Sequence, residues 1–121
     1  MNNRLAQLSF ETTDDVLVGR VDGEIESTNA DDLRGALAGR LTTEGAGLVL
    51  DLSDATYIDS AGIEVLFDLA RRLRTRRQRL WLVVPAGAPM RRVLDLCDID
   101  RAAAVHVTLE SALQDVSRPP S

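Results

Sequence analysis

Ser60, in the stretch Asp59-Ser60-Ala61-Gly62, is the side chain whose setting invites chemistry. It stands between an apolar run, Gly47-Leu48-Val49-Leu50-Asp51-Leu52, and the clearest amphipathic pattern in the chain. A hydroxyl at that junction falls at the cap or first turn of a helix. Small neighbours leave it accessible, and a phosphate added there would meet free N–H groups and the positive helix end. The plainer role is an N-cap, which stabilises a helix by about 1 kcal/mol. A nucleophile elbow, Gly-x-Ser-x-Gly, is excluded because Ile58 occupies the place of its first glycine. No histidine lies nearby in sequence, and no phosphate-cradling P-loop or dinucleotide glycine pattern is present. These residues point to a modified or binding surface, not to an enzyme, and they call for no cofactor.

The other reactive types are sparse. Cys97 is the single cysteine, so it has no internal disulfide partner; its spacing from Val93 and Leu94 predicts a small buried residue of a helix. His106 is the single histidine and lies in the strand-like run Ala104-Val105-His106-Val107, so it is expected to be packed or solvent-facing, with no metal site around it. Six arginines crowd into Arg71 to Arg79. They fall at a predicted helix end, where cations complement the macrodipole, and read as a solvated helix end, with docking of an acidic partner as the alternative. Asp68 and Arg72 form an attractive pair four residues apart.

The elements that must position Ser60 follow from periodicity. Leu5 to Phe10 and Val16 to Val21 read as two strands joined by Glu11-Thr12-Thr13-Asp14-Asp15, a hairpin with a longer loop. Gly23-Glu24-Ile25-Glu26 follows. Thr28 and Asp31 form an approximate capping box for a helix burying Ala30, Leu33, Leu37 and Leu41. The run Gly47 to Leu52 suits a strand buried on both faces, and a connecting segment leads to Ser60. Ile63, Leu66, Phe67, Ala70 and Leu73 then recur at helical spacing. Leu80 to Val84 is a second buried strand. Pro89 opens a third helix burying Met90, Val93, Leu94 and Cys97. Ala104 to Val107 is a last strand, and Thr108 caps a fourth helix with Leu109, Ala112, Leu113 and Val116 inward. The predicted order is β-β-α-β-α-β-α-β-α: an α/β fold with a mixed, mostly parallel sheet of about five strands and about four helices.

Composition agrees with one domain over residues 1–121, its core spanning about 5–116 and a frayed tail at 117–121. Hydrophobic residues are 45% and charged ones 27% of the 121 residues, an ordinary globular balance. The net charge of −5 argues against direct nucleic-acid binding. No apolar run approaches the roughly 18 residues of a membrane span, and Met1-Asn2-Asn3-Arg4 is followed by no signal-peptide core. The expectation is a cytoplasmic protein without membrane insertion.

The segment Asp51-Leu52-Ser53 … Ile58-Asp59-Ser60-Ala61-Gly62-Ile63 resembles the signature of the STAS domain family, specifically the anti-sigma-factor antagonists. Gly23-Glu24-Ile25-Glu26 before a capped helix is similar to the family's first motif, with Glu26 where an Asp is common. The likeness runs from about Leu5 to Val116 in motif order and spacing. It implies a single STAS domain acting as a partner switch. The unmodified protein binds an anti-sigma factor that is also a serine kinase, freeing a sigma factor; the kinase phosphorylates the serine after the Asp, weakening the complex. A PP2C-type phosphatase reverses the change. Ser60 is the implied acceptor, and Ala61 removes a second hydroxyl that many relatives carry next. Asp59 and Gly62 shape the helix start, and Glu24, Glu26, Ser27 and Thr28 form the adjoining loop surface, equally readable as a capped loop. The implied partner surface continues over Ala61, Gly62 and Glu64.

Two rivals use the same residues differently. One is a STAS regulatory subunit of a membrane transport complex, docking without being phosphorylated. The other is a small-molecule or nucleotide module, which the missing glycine loop disfavours. A large stress-signalling scaffold is less favoured, since no N-terminal sensor segment is present.

Overall fold

The computed structural model describes residues 6–13 and 15–118. Leu5, Asp14 and Pro119 to Ser121, which the sequence placed in the first strand, the hairpin loop and the tail, lie outside the described residues. The elements run β1 (Gln7–Thr13), β2 (Val16–Ile25), α1 (Ala30–Arg40), β3 (Gly47–Ile58), α2 (Ser60–Thr75), β4 (Arg79–Val83), α3 (Arg91–Leu96), a 3-10 turn (Ile99–Arg101), β5 (Ala104–His106) and α4 (Leu109–Ser117). The sheet order is β1-β2-β3-β4-β5. β1 pairs antiparallel with β2, and every later pairing is parallel.

That order has a geometric consequence. Each right-handed crossover steps to the next strand in the same direction, so α1, α2 and α3 must all fall on one face of the sheet. The packing agrees. Leu33 and Leu37 of α1, Leu66, Leu69 and Leu73 of α2, and Leu94 of α3 share one core with Leu48, Leu50, Leu52, Leu80 and Leu82. On the other face α4 lays Ala112, with Leu109, Leu113 and Val116, against Val16, Val18, Val49, Trp81 and Val83. β3 and β4 are thus covered on both sides, which explains their unbroken apolar runs. Each fully buried leucine in the first core contributes about 1.5–3 kcal/mol relative to exposure.

Several expectations are corrected. β1 extends through Glu11, Thr12 and Thr13, and Thr13 pairs with Val16, so two residues rather than five connect the hairpin. β3 does not stop at Leu52. Ser53 to Ile58, expected as a connecting segment, stays paired with β2 through Asp22↔Asp54, Gly23↔Ala55, Glu24↔Tyr57 and Ile25↔Ile58, with two register shifts. Beyond Leu52 only Ala55 and Ile58 turn to the core, so the hydrophobic alternation fades while the backbone ladder persists.

Thr28 does not cap α1. Asn29 occupies the N-cap position, and the Thr28 hydroxyl instead donates to Glu26 Oε1 at 2.9 Å. Asp31 forms an ion pair with Arg34 at 2.8 Å. α3 is six residues long and buries Leu94, whereas Cys97 and Val93 are exposed. The chain leaves the helix at Asp98 with φ of 55°, and Ile99 takes the inward place that Cys97 was expected to fill.

Two glycines are dictated by close approach. A Cβ on Gly47, whose φ is 138°, would lie 2.0 Å from the Arg79 carbonyl oxygen, where β3 and β4 begin side by side. The second is Gly62, below.

Candidate functional site

Ser60 sits where the parallel sheet delivers β3 into α2. Ile25 and Ile58, last residues of β2 and β3, pair with each other and are buried. Asp59 then leaves the strand in extended conformation (φ −107°, ψ −172°) and becomes the N-cap of α2. Its backbone N–H donates to the Ile25 carbonyl at 3.1 Å, and its own carbonyl accepts from Ile63 N–H at 3.0 Å. The cap is therefore held by both the sheet and the helix it starts.

The Asp59 carboxylate joins two segments distant in sequence. Oδ1 accepts the Gly62 N–H at 3.1 Å, and Oδ2 accepts the Ser27 N–H at 3.0 Å. The first bond caps α2; the second ties down the loop between β2 and α1. That loop is internally bonded as well. Asn29 Oδ1 accepts the Glu26 N–H at 2.8 Å, while Asn29 Nδ2 donates to the Glu24 carbonyl at 2.9 Å. Asn29 is a structuring residue that the sequence reading passed over for its neighbour Thr28. Its signal was present in type, since asparagine is a leading N-cap residue.

Gly62 sets how deeply α2 enters. A Cβ there would come 2.6 Å from Ile58 Cγ1 and 2.7 Å from Ile25 Cγ2, so only a glycine lets the first turn rest on the strand ends. With Gly62 buried and Asp59 turned inward, Ser60 is the exposed first residue of the helix. No acidic residue lies within the first turn of α2, and the Asp59 carboxylate at its N-cap is the anion that meets its positive end.

The structure thus gathers the sequence-marked residues, though not in one role. Ser27, Thr28, Ser60 and Glu64 are exposed, whereas Glu24, Glu26, Asp59 and Ala61 are half-buried and Gly62 lies beneath them. Gly62 supports the surface from below and does not form part of it. Among the described residues no group of three His, Cys, Asp or Glu side chains could hold a metal ion. Among the described residues no helix is long and apolar enough to cross a membrane.

A family model for the STAS domain matches residues 7–112. The chain belongs to the STAS domain family. BtrV of Bordetella bronchiseptica, whose name assigns it provisionally as an anti-sigma factor antagonist, is 34% identical over 68 residues. That match covers 56% of this chain and 59% of BtrV, so it reaches little more than half of either protein. Among solved structures, an anti-sigma factor antagonist from Mycobacterium paratuberculosis superposes with a TM-score of 0.85 at 26% identity, covering 97% of this chain and 98% of that one. The phosphorylated form of SpoIIAA, a Bacillus cell fate determinant, shares the fold with a TM-score of 0.65 at 18% identity, over 91% of this chain and 99% of its own.

A second polar cluster lies on the α4 face and was not foreseen. His106 Nε2 lies 3.0 Å from Asp115 Oδ2, and His106 Nδ1 lies 2.7 Å from the Ser111 hydroxyl. Trp81 Nε1 donates to the same Asp115 oxygen at 3.1 Å. The hydrogen bond from His106 holds the Asp115 carboxyl below its ordinary range; burial opposes this, and Trp81 and Arg79 reinforce it. The cluster pins α4 to β4 and β5. Thr108 caps α4 as expected, accepting the Ser111 N–H at 3.0 Å.

Proposed function

We propose that this STAS protein is an anti-sigma-factor antagonist and that Ser60 is its phosphorylation switch. In the unmodified state the surface around Ser60 binds a serine-kinase anti-sigma factor in the cytoplasm, releasing a sigma factor. In the complex, Ser60 Oγ attacks the γ-phosphorus of ATP held by the kinase. A Ser60 O–P bond forms, the bond to the bridging oxygen breaks, ADP leaves, and the serine proton passes to a base of the kinase. A PP2C-type phosphatase hydrolyses the ester with water, returning the hydroxyl and inorganic phosphate. This chain is the substrate and supplies no catalytic group.

The observation that carries the reading is the exposed Ser60 at the first position of an Asp59-capped helix, in a chain whose relatives bear the antagonist name. A phosphate there adds about −1.5 to −2 charges next to the Asp59 carboxylate and one helical turn from Glu64. The positive end of α2 tolerates that charge within the domain, so the fold persists while the surface changes. Against a closely fitted partner, like-charge contact and desolvation cost several kcal/mol, or a few powers of ten in affinity. Ser27, Thr28 and Glu26 share the surface, because the Asp59 bond to Ser27 holds their loop beside the helix start.

Titrating the cognate anti-sigma factor with Ser60→Ala and Ser60→Glu tests the charge mechanism. Ser60→Ala binds like the unmodified protein and Ser60→Glu binds more weakly. Equal affinity of the two variants would sink it.

A further inference from the structure

The polar cluster on the α4 face holds more than the docking of that helix requires. Asp115 alone ties α4 to two strands, accepting the Trp81 Nε1–H at 3.1 Å and lying 3.0 Å from His106 Nε2. Leu109, Ala112, Leu113 and Val116 supply the apolar contact. The Ser111 hydroxyl is surplus to that anchoring. It is surplus to the helix cap as well, because Thr108 Oγ1 takes the Ser111 N–H at 3.0 Å. Instead Ser111 Oγ lies 2.7 Å from His106 Nδ1.

Proton positions along this relay follow from its far end. The His106 bond, above all, holds the Asp115 carboxyl below its ordinary range, so it is an anion and only accepts. His106 Nε2 then carries the hydrogen that faces it. In the neutral ring Nδ1 keeps its lone pair, and the Ser111 hydroxyl donates to it. The ring meets its partners in the reverse of the usual order, serine at Nδ1 and carboxylate at Nε2. Either nitrogen can accept when the other carries the hydrogen. A hydroxyl, an imidazole that accepts from it and an anion that orients the imidazole are the parts of an activated nucleophile. Trp81 and Arg79, the latter 3.8 Å from the same Asp115 oxygen, fix the anion in turn.

The hydroxyl is within reach of a small molecule. Ser111 and His106 are half-buried, and Val107, next to His106, is 49% exposed and offers apolar surface to an acyl group. Ser111 is the third residue of α4, and helical side chains lean toward the N-terminus, so its Oγ lies over the first turn. There the Leu109 and Glu110 N–H groups make no hydrogen bond among the described residues. Such groups stabilise a developing oxyanion.

We propose that Ser111 is a nucleophilic site for acyl transfer from small activated esters, with His106 as general base and Asp115 positioning the imidazole. Ser111 Oγ attacks the carbonyl carbon while its proton passes to His106 Nδ1. An O–C bond to Ser111 forms. The tetrahedral centre then collapses, the bond to the leaving oxygen breaks, and His106 returns the proton to the departing alcohol. The site lies across the sheet from α2 and is independent of Ser60.

The chain contains no lysine, so acetylation by p-nitrophenyl acetate meets little amine background. Peptide mass spectrometry after brief exposure should place the acetyl group on Ser111. Ser117 on the same helix is the internal control, since its hydroxyl bonds to the Leu113 and Gln114 carbonyls and has no base. Ser111→Ala abolishes the burst of p-nitrophenolate, and His106→Gln slows Ser111 labelling about a hundredfold. Asp115→Asn slows it less and moves the rise of rate with pH to lower pH, because the anion favouring the imidazolium is gone. A purely structural role for Asp115 would leave that profile in place and would overturn its part. Circular dichroism checks that α4 persists in each variant; where it does not, the labelling of the unmodified chain decides. Equal acetylation of Ser111 and Ser117 would overturn the proposal, as would undiminished Ser111 labelling in His106→Gln. So would a burst that survives Ser111→Ala but not His106→Gln, which would make the imidazole itself the nucleophile.

Discussion

Asp59 lends itself to a pair of substitutions that separate two jobs of one carboxylate. Asp59→Asn retains one acceptor oxygen and replaces the other with an NH2 group. Asparagine caps helices about as well as aspartate, so the oxygen stays on the Gly62 N–H, which is buried and has most to lose. The NH2 then faces the Ser27 N–H, donor against donor, where Oδ2 now accepts at 3.0 Å. Ser27 is exposed and its freed N–H takes water, so the loss is about 0.5–1 kcal/mol and not a full burial penalty. Asp59→Ala removes both bonds and adds a lost cap of about 1 kcal/mol, giving about 2 kcal/mol in all. Urea unfolding midpoints at constant slope measure these differences, and amide hydrogen exchange at Ser27 and Gly62 assigns them. Asp59→Asn raises exchange at Ser27 alone; Asp59→Ala raises it at both. Equal destabilisation by the two variants, or unchanged Ser27 exchange in Asp59→Asn, would refute the two-bond clamp.

Three further outcomes are expected. Gly62→Ala places a methyl group 2.6 Å from Ile58 and 2.7 Å from Ile25; overpacking of that kind costs about 1–3 kcal/mol, and thermal unfolding should show a lower midpoint. Arg77→Gly relieves a left-handed backbone and raises stability by about 0.5–1 kcal/mol, read as a higher urea midpoint, with a lower one contradicting the strain. Asp115 and Asp68 are both held below the ordinary carboxylate value of 3.8, each mainly by a side-chain hydrogen bond, from His106 and Arg72 respectively. The unfolded chain therefore takes up protons first as the medium is acidified. Their stabilisation is present above pH 3.8 and disappears as pH falls through the lowered folded values. Asp115→Asn should flatten the acid limb of the stability–pH curve; an unchanged limb would contradict the assignment.

What the sequence disclosed depended on how local each cause was. α2 was legible because Ile63, Leu66, Phe67, Ala70 and Leu73 recur at helical spacing; Leu66, Ala70 and Leu73 are buried, and Ile63 and Phe67 are half-buried beside them. β4 and the first half of β3 were legible because helices on both sides demand continuous apolar residues. The second half of β3 was not, since α4 packs against the other half of its outer face and leaves Ser53, Asp54 and Tyr57 exposed. α3 misled because six residues are too few for periodicity to settle which side Cys97 faces. At the candidate site, Ser60, Asp59 and Gly62 were visible from type and order. The Asp59–Ser27 bond spans 32 residues and the Trp81–Asp115 bond 34, and no local pattern announces contacts made by sheet topology.

Whether Ser60 is the acceptor is settled most directly by mass spectrometry of the protein purified from its own source, before and after phosphatase treatment. The expected result is one phosphate, on Ser60, removed by the phosphatase and absent from the Ser60→Ala variant. A phosphate found instead on Ser27 or Ser53, or retained in Ser60→Ala, would contradict the switch.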